Sequence, residues 1–98
     1  MAEEDEIACG PLEVRRKRLR YRAWHRGTRE ADLLLGRFAD AHVAGMDEEQ
    51  LARFAALLEL PDPDLIDWLM GRLPRPAGHD NDVAALLSRF TAMGAGIA

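Results

Sequence analysis

"GTREADLLLGRFADA", residues 27–41, decides the fold. Ala31, Leu34, Leu35, Phe38 and Ala41 stand at i, i+3, i+4, i+7 and i+10, one apolar stripe at the helical period. The helix has a start signal. Gly27 can take a positive φ and reverse the chain, Thr28 can cap the helix, and Glu30 falls in the first turn, where the helix dipole favours a carboxylate. It ends around "HVAG", residues 42–45, with Gly45 available for a left-handed C-terminal cap.

Working outward, "PLEVRRKRLRYRAW" (11–24) opens on Pro11, which is tolerated at a first helical position, and contains no breaker. Its apolar stripe is thin: Leu12, Leu19 and Ala23, flanked by Val14, Tyr21 and Trp24. Such a helix leans on the body by one edge. On the other side, "MDEEQLARFAALLEL" (46–60) carries a capping-box pattern in Asp47 and Gln50, and Met46 can staple against Leu51. Leu51, Phe54, Ala55 and Leu58 form its core face. "PDPDLIDWLMGRLP" (61–74) reads as a fourth helix capped by Asp62, with Leu65, Trp68, Leu69 and Leu73 inward and Pro74 as its end. A fifth runs from about Asp80 to Met93 on Val83, Leu86, Leu87 and Phe90. No alternating β-pattern or long repeat interrupts this series. The expected fold is all-α, a compact bundle of five short helices. Its single domain spans 11–94, between a disordered acidic arm (1–10) and a frayed tail (95–98).

Ninety-eight residues suit one core, and 48% hydrophobic with 31% charged residues is ordinary globular composition. The apolar runs fall far short of the ~20 residues that cross a bilayer. "MAEEDEIACGPLE" holds five acids and no base, the opposite of a secretory or transit leader. Cys9 is the one cysteine, so no internal disulfide forms. The expectation is a cytoplasmic bacterial protein, with no membrane insertion.

The net charge of −4 conceals a division. Residues 15–29 hold 8 of the 13 bases and no acid, while residues 30–98 hold 12 acids against 5 bases. A basic segment adjoins an acidic body, either as a solvated face or as a surface for an anionic partner. Chemistry finds no home elsewhere. His25, His42 and His79 never share a helix at i, i+4, so no metal site is expected. Gly94 and Gly96 make no nucleotide loop, and Cys9 has no activating base nearby in the sequence. Asp62, Asp64 and Asp67 are better explained by a helix start than by a metal. One alternative is a nucleic-acid-binding module on 15–29, with Tyr21 and Trp24 stacking on bases. Another is a purely structural interaction domain. The acidic balance and the lack of a second basic helix argue against nucleic acid.

"RRKRLRYRAWHRGTREADLLLG" (15–36) followed by "LLELPDPDLIDWLMG" (57–71) resembles the succinate dehydrogenase assembly factor 2 family, which includes the bacterial flavinylation factors. The hallmark R-G-x-x-E is met by Arg26, Gly27 and Glu30, and D-x-D-L-x-x-W-L by Asp62, Asp64, Leu65, Trp68 and Leu69. His25 departs from the second basic residue often found before Arg26. The resemblance covers roughly residues 12–93. It implies a five-helix protein, monomeric when free, that is not an enzyme. Its partner would be the flavoprotein subunit of succinate dehydrogenase, or in some bacteria fumarate reductase, on which it promotes covalent attachment of FAD to a histidine. FAD then belongs to the client and is not bound tightly here. By this resemblance Arg26 pairs with the client, Gly27 allows close approach, and Glu30 braces the turn or binds directly. Tyr21, Arg22, Trp24, His25 and Arg29 form a secondary set of partner contacts. The joint itself is expected to be exposed.

Overall fold

Capping side chains mark where most of the helices begin. Thr28 accepts a hydrogen bond from the Ala31 N–H and starts α2 (Arg29–His42). Asp47 and Gln50 exchange the two bonds of a capping box at the head of α3 (Glu48–Leu58). Asn81 accepts from the Ala84 N–H to open α5 (Asp82–Ala92). Before them runs α1 (Ala2–Trp24), broken at Gly10, and between α3 and α5 lies α4 (Asp62–Leu69). The computed structural model describes the backbone of residues 2–94 and the side chains of residues 10–94. Within them there are five helices and no strand, as the periodicity predicts. The expected disordered arm (1–10) and frayed tail (95–98) lie, Gly10 apart, outside the residues whose side chains are described.

Phe38 of α2 and Phe54 of α3 meet at the centre with ring centroids 5.4 Å apart, and Phe90 of α5 adds an edge contact at 5.6 Å. Around them Leu34, Leu35, Leu51, Leu57, Leu65 and Leu87 are fully buried. Burying a side chain of this size stabilises by about 1.5–3 kcal/mol, so these residues dominate the fold. Among its described side chains, helix α1 contributes only Leu19 and Ala23 to the buried set. Its polar edge must therefore be held by something other than apolar area.

Four local expectations are corrected. Gly45 is not left-handed: α2 tightens into a 3₁₀ turn, Val43–Gly45, whose backbone bond from Met46 N–H to the Val43 carbonyl ends it. Ala39 is buried in the α2 stripe while Ala41 is exposed, because the stripe follows 3.6 residues per turn. Helix α4 stops before Pro74. Gly71 (φ 82°) and Arg72 donate to the carbonyls of Trp68 and Asp67, a Schellman closure that leaves Leu73 47% exposed. Finally, Pro61 occupies the cap position of α4, and Asp62 is its first helical residue. The carboxylate of Asp62 is engaged elsewhere.

Candidate partner-docking site

The joint between α1 and α2 is four residues, His25 to Thr28. Gly27 sits at φ 111°, which an L side chain rarely adopts, and a Cβ there would meet nothing within 4 Å. The glycine is thus demanded by the backbone bend and not by crowding within the chain. Asp32, one turn into α2, reaches back so that one oxygen accepts the N–H of Arg26 (2.6 Å) and of Gly27 (3.2 Å). Asp32, and not Glu30, braces the turn.

The side chain of Arg26, expected to point at a partner, is turned inward and is only 12% exposed. Its Nε donates to Asp62 Oδ1 at 2.7 Å, Nη2 to the Leu60 carbonyl at 2.7 Å, and Nη1 to the Leu58 carbonyl. The physical logic is that of a helix end. The last carbonyls of α3 lack intrahelical donors, and a cation is favourable there. Asp62 in the first turn of α4 is favourable for the opposite reason. One planar guanidinium satisfies both and clasps the α1–α2 joint to the α3–α4 joint.

Two further arginines of the basic segment repeat the theme. Arg22 pairs with Glu59, just beyond α3, and Arg16 donates to the Met46 carbonyl (2.7 Å) and pairs with Glu13. Much of the basic segment is therefore the polar edge by which α1 is held to the body. Trp24 is committed too. Its indole lies on Gly36, where a Cβ would come within 2.2 Å of the ring, and its N–H is shared by both oxygens of Asp40 at 3.2 Å.

What remains outward is a compact set. Gly27, Thr28, Arg29 and Glu30 are all exposed. Among the described residues neither the Arg29 nor the Glu30 side chain makes a hydrogen bond or ion pair. Tyr21 and His25, both exposed, stack with ring centroids 3.9 Å apart. His25 Nδ1 lies 2.7 Å from the Tyr21 carbonyl, an acceptor, so that nitrogen carries the proton. Shallow depressions flank the clasp: Tyr21, Arg22 and His25 line one, Thr28, Arg29, Glu30, Pro63 and Ile66 the other, with Asp62 in both. The joint thus has an exposed crest on a buried ionic footing. The exposure of the Gly27–Glu30 joint agrees with the sequence, whereas Asp32, Asp62 as the partner of Arg26, and Gly36 were not anticipated from it. An acid two residues beyond Glu30, and a glycine inside an apolar run, were the available signals.

The family model described as "Flavinator of succinate dehydrogenase" matches residues 17–91, which include the whole of this site. The chain is similar to "FAD assembly factor SdhE" of Acetobacter pasteurianus, 52% identical over 70 residues, 71% of this chain and 64% of that protein. It is also similar to "Succinate dehydrogenase assembly factor 2, mitochondrial" of Aedes aegypti, 39% identical over 79 residues, 79% of this chain and 49% of the relative. The Dictyostelium discoideum protein of the same name is 37% identical over 76 residues, 78% of this chain and 54% of its own. The chain spans between about half and two thirds of the length of these relatives.

Proposed function

The chain belongs to the family of flavinators of succinate dehydrogenase, and from that premise we propose that it is an assembly factor acting on the flavoprotein subunit of that enzyme. It binds this client, in the cytoplasm and as a monomer, and promotes covalent attachment of FAD to a client histidine. Fumarate reductase is a second client of the same kind. The chain is not itself an enzyme in this reading: FAD stays on the client, and flavin and histidine supply the bond-forming chemistry.

The observation that supports this reading is the crest Gly27–Glu30, held rigid from beneath by Asp32 and by the Arg26 clasp. A rigid crest binds with little ordering cost. Holding the client's segments so that histidine and flavin stay near attack distance converts a rare encounter into a local one, worth up to about 7–11 kcal/mol in well-oriented systems. In this role Arg26 positions the crest, Gly27 leaves room for a partner's backbone, and Glu30 and Arg29 make direct contacts. Tyr21 and His25 extend the surface, while Arg22 and Trp24 hold α1 in place.

The test is complementation. A strain lacking the chain is rescued with wild type, and covalent flavin is read as fluorescence of the denatured client on a gel. Wild type restores the fluorescent band. Equal flavinylation with and without the chain, in the cell and with purified components, sinks the proposal.

A further inference from the structure

Three hydrogen bonds meet at Asp32. Its carboxylate Oδ1 accepts the N–H of Arg26 at 2.6 Å and of Gly27 at 3.2 Å, and its own N–H donates to the Thr28 carbonyl at 2.9 Å. Two successive N–H groups on one anionic oxygen fix the orientation of two peptide planes, and bonds to a carboxylate are stronger than neutral ones. Arg26 and Gly27 belong to the joint, whereas Arg29 and Glu30 ride on the first turn of α2. Asp32 is therefore the link that sets Gly27 against Glu30 within the crest.

Asp32 differs from Arg26 in what else it holds. The Arg26 guanidinium reaches Asp62 and the carbonyls of Leu58 and Leu60, so it serves the α3–α4 joint as well as the crest. Among the described residues, the half-buried Asp32 side chain bonds only to the N–H groups of Arg26 and Gly27. None of its bonds reaches α3, α4 or α5. At this residue the order of the crest can be separated from the stability of the core.

We propose that Asp32 is a positioning residue for flavinylation of the client: it holds Gly27 in register with Arg29 and Glu30, so that the crest meets the flavoprotein subunit already formed. The proposal rests on the reading of the chain as an assembly factor. A segment ordered before docking costs less to bind than one ordered during it. Asp32 thus acts on the client through the backbone of Arg26 and Gly27, from outside the R-G-x-x-E pattern and with no client contact of its own.

Wild type, Asp32→Ala and Asp32→Asn are compared as full chains in three measurements. These are amide hydrogen exchange of the free chain, titration of the purified flavoprotein subunit, and covalent flavin formed with the chain limiting and saturating. In Asp32→Ala the amides of Arg26 and Gly27 exchange about tenfold faster, while those of Phe38 and Phe54 in the core keep their wild-type protection. The same variant binds the subunit about tenfold more weakly, the cost of ordering the joint on docking. Flavin formed with the chain limiting falls accordingly, and saturating chain restores it. Asp32→Asn keeps an oxygen that accepts both N–H groups, so exchange and binding stay within about threefold of wild type. Faster exchange at the joint with unchanged binding overturns the proposal and leaves the assembly-factor reading standing. If Asp32→Asn binds as weakly as Asp32→Ala while its joint amides stay protected, the carboxylate touches the client directly, and the positioning role falls. Exchange in Asp32→Ala that rises at Phe38 and Phe54 as much as at the joint makes Asp32 a residue of the core, which overturns it equally. A wild type that does not bind the subunit sinks the assembly-factor reading, and the positioning role with it.

Discussion

Arg26 and Arg53 each pair with an aspartate that is the first residue of a later helix, Asp62 of α4 and Asp82 of α5. Their surroundings differ. At the first pair the side chains are 12% and 19% exposed, and the guanidinium also serves the carbonyls of Leu58, the last residue of α3, and of Leu60, two residues beyond it. At the second they are 39% and 51% exposed, with Gln50 and Glu49 as additional partners in solvent. Water can replace every bond at the α3–α5 joint and few at the clasp. Removing one partner of a shielded pair strands the other, whereas exposed pairs are screened and contribute little. The same two residue types therefore hold the fold together at one end and decorate the surface at the other.

Arg26→Ala is the strongest way to break this comparison. It strands Asp62 and the carbonyls of Leu58 and Leu60, and should cost about 2–4 kcal/mol. Thermal unfolding followed by circular dichroism should show a drop of roughly 10–20 °C, since ~1 kcal/mol moves a domain of this size by about 4–8 °C. A drop no larger than that of Arg53→Ala would remove the distinction. Gly36→Ala comes next. Its methyl must displace the Trp24 indole, and overpacking of this kind costs about 1–3 kcal/mol. Trp24 fluorescence should shift with the loss of stability, and an unchanged emission spectrum would count against the packing.

Gly27→Ala sharpens the picture from the crest side. A Cβ meets nothing, so only the backbone at φ 111° objects, at about 1–2 kcal/mol. A smaller melting shift than Gly36→Ala, with a larger loss of client flavinylation, is expected. Equal losses in both readouts would make Gly27 a turn residue and nothing more. The smallest effect belongs to Asp82. Hydrogen bonding from Gln50 first, then the Arg53 charge and the Val83 N–H, hold its carboxyl below the usual carboxylate range. A depressed folded-state pKa gives stability that is present above the ordinary value, about 3.9, and lost as pH falls through the folded value. Asp82→Asn should therefore leave neutral-pH melting close to wild type and narrow the gap between the two as pH drops below about 3.9. A gap that stays constant would show that the bond does not depend on charge.

Residues within one turn of each other were legible from the chain. Thr28 capping α2, the Asp47–Gln50 box and the positive φ of Gly27 each depend on neighbours three residues away or fewer, so local chemistry decides them. The turn at Gly27–Glu30 was legible for the same reason, and its reading as a contact came only from the resemblance carried by R-G-x-x-E. The inward turn of Arg26 was not, because its three acceptors lie 32 to 36 residues further on. Nothing near Arg26 in sequence shows that its side chain turns inward while Arg29 faces solvent.

By itself, then, the sequence determined the class of fold, the starts of most helices and the position of the joint, because apolar period and capping act over a single turn. Tertiary structure decided the rest. It made Asp32 the brace in place of Glu30, buried Gly36 under Trp24, left Leu73 in solvent, and set Asp62 against Arg26 in place of the cap role its position suggested. Each depends on which helix end lies beside which. That is set by packing the whole core, where buried area outweighs any one polar contact and the polar groups then take the partners the packing brings within reach.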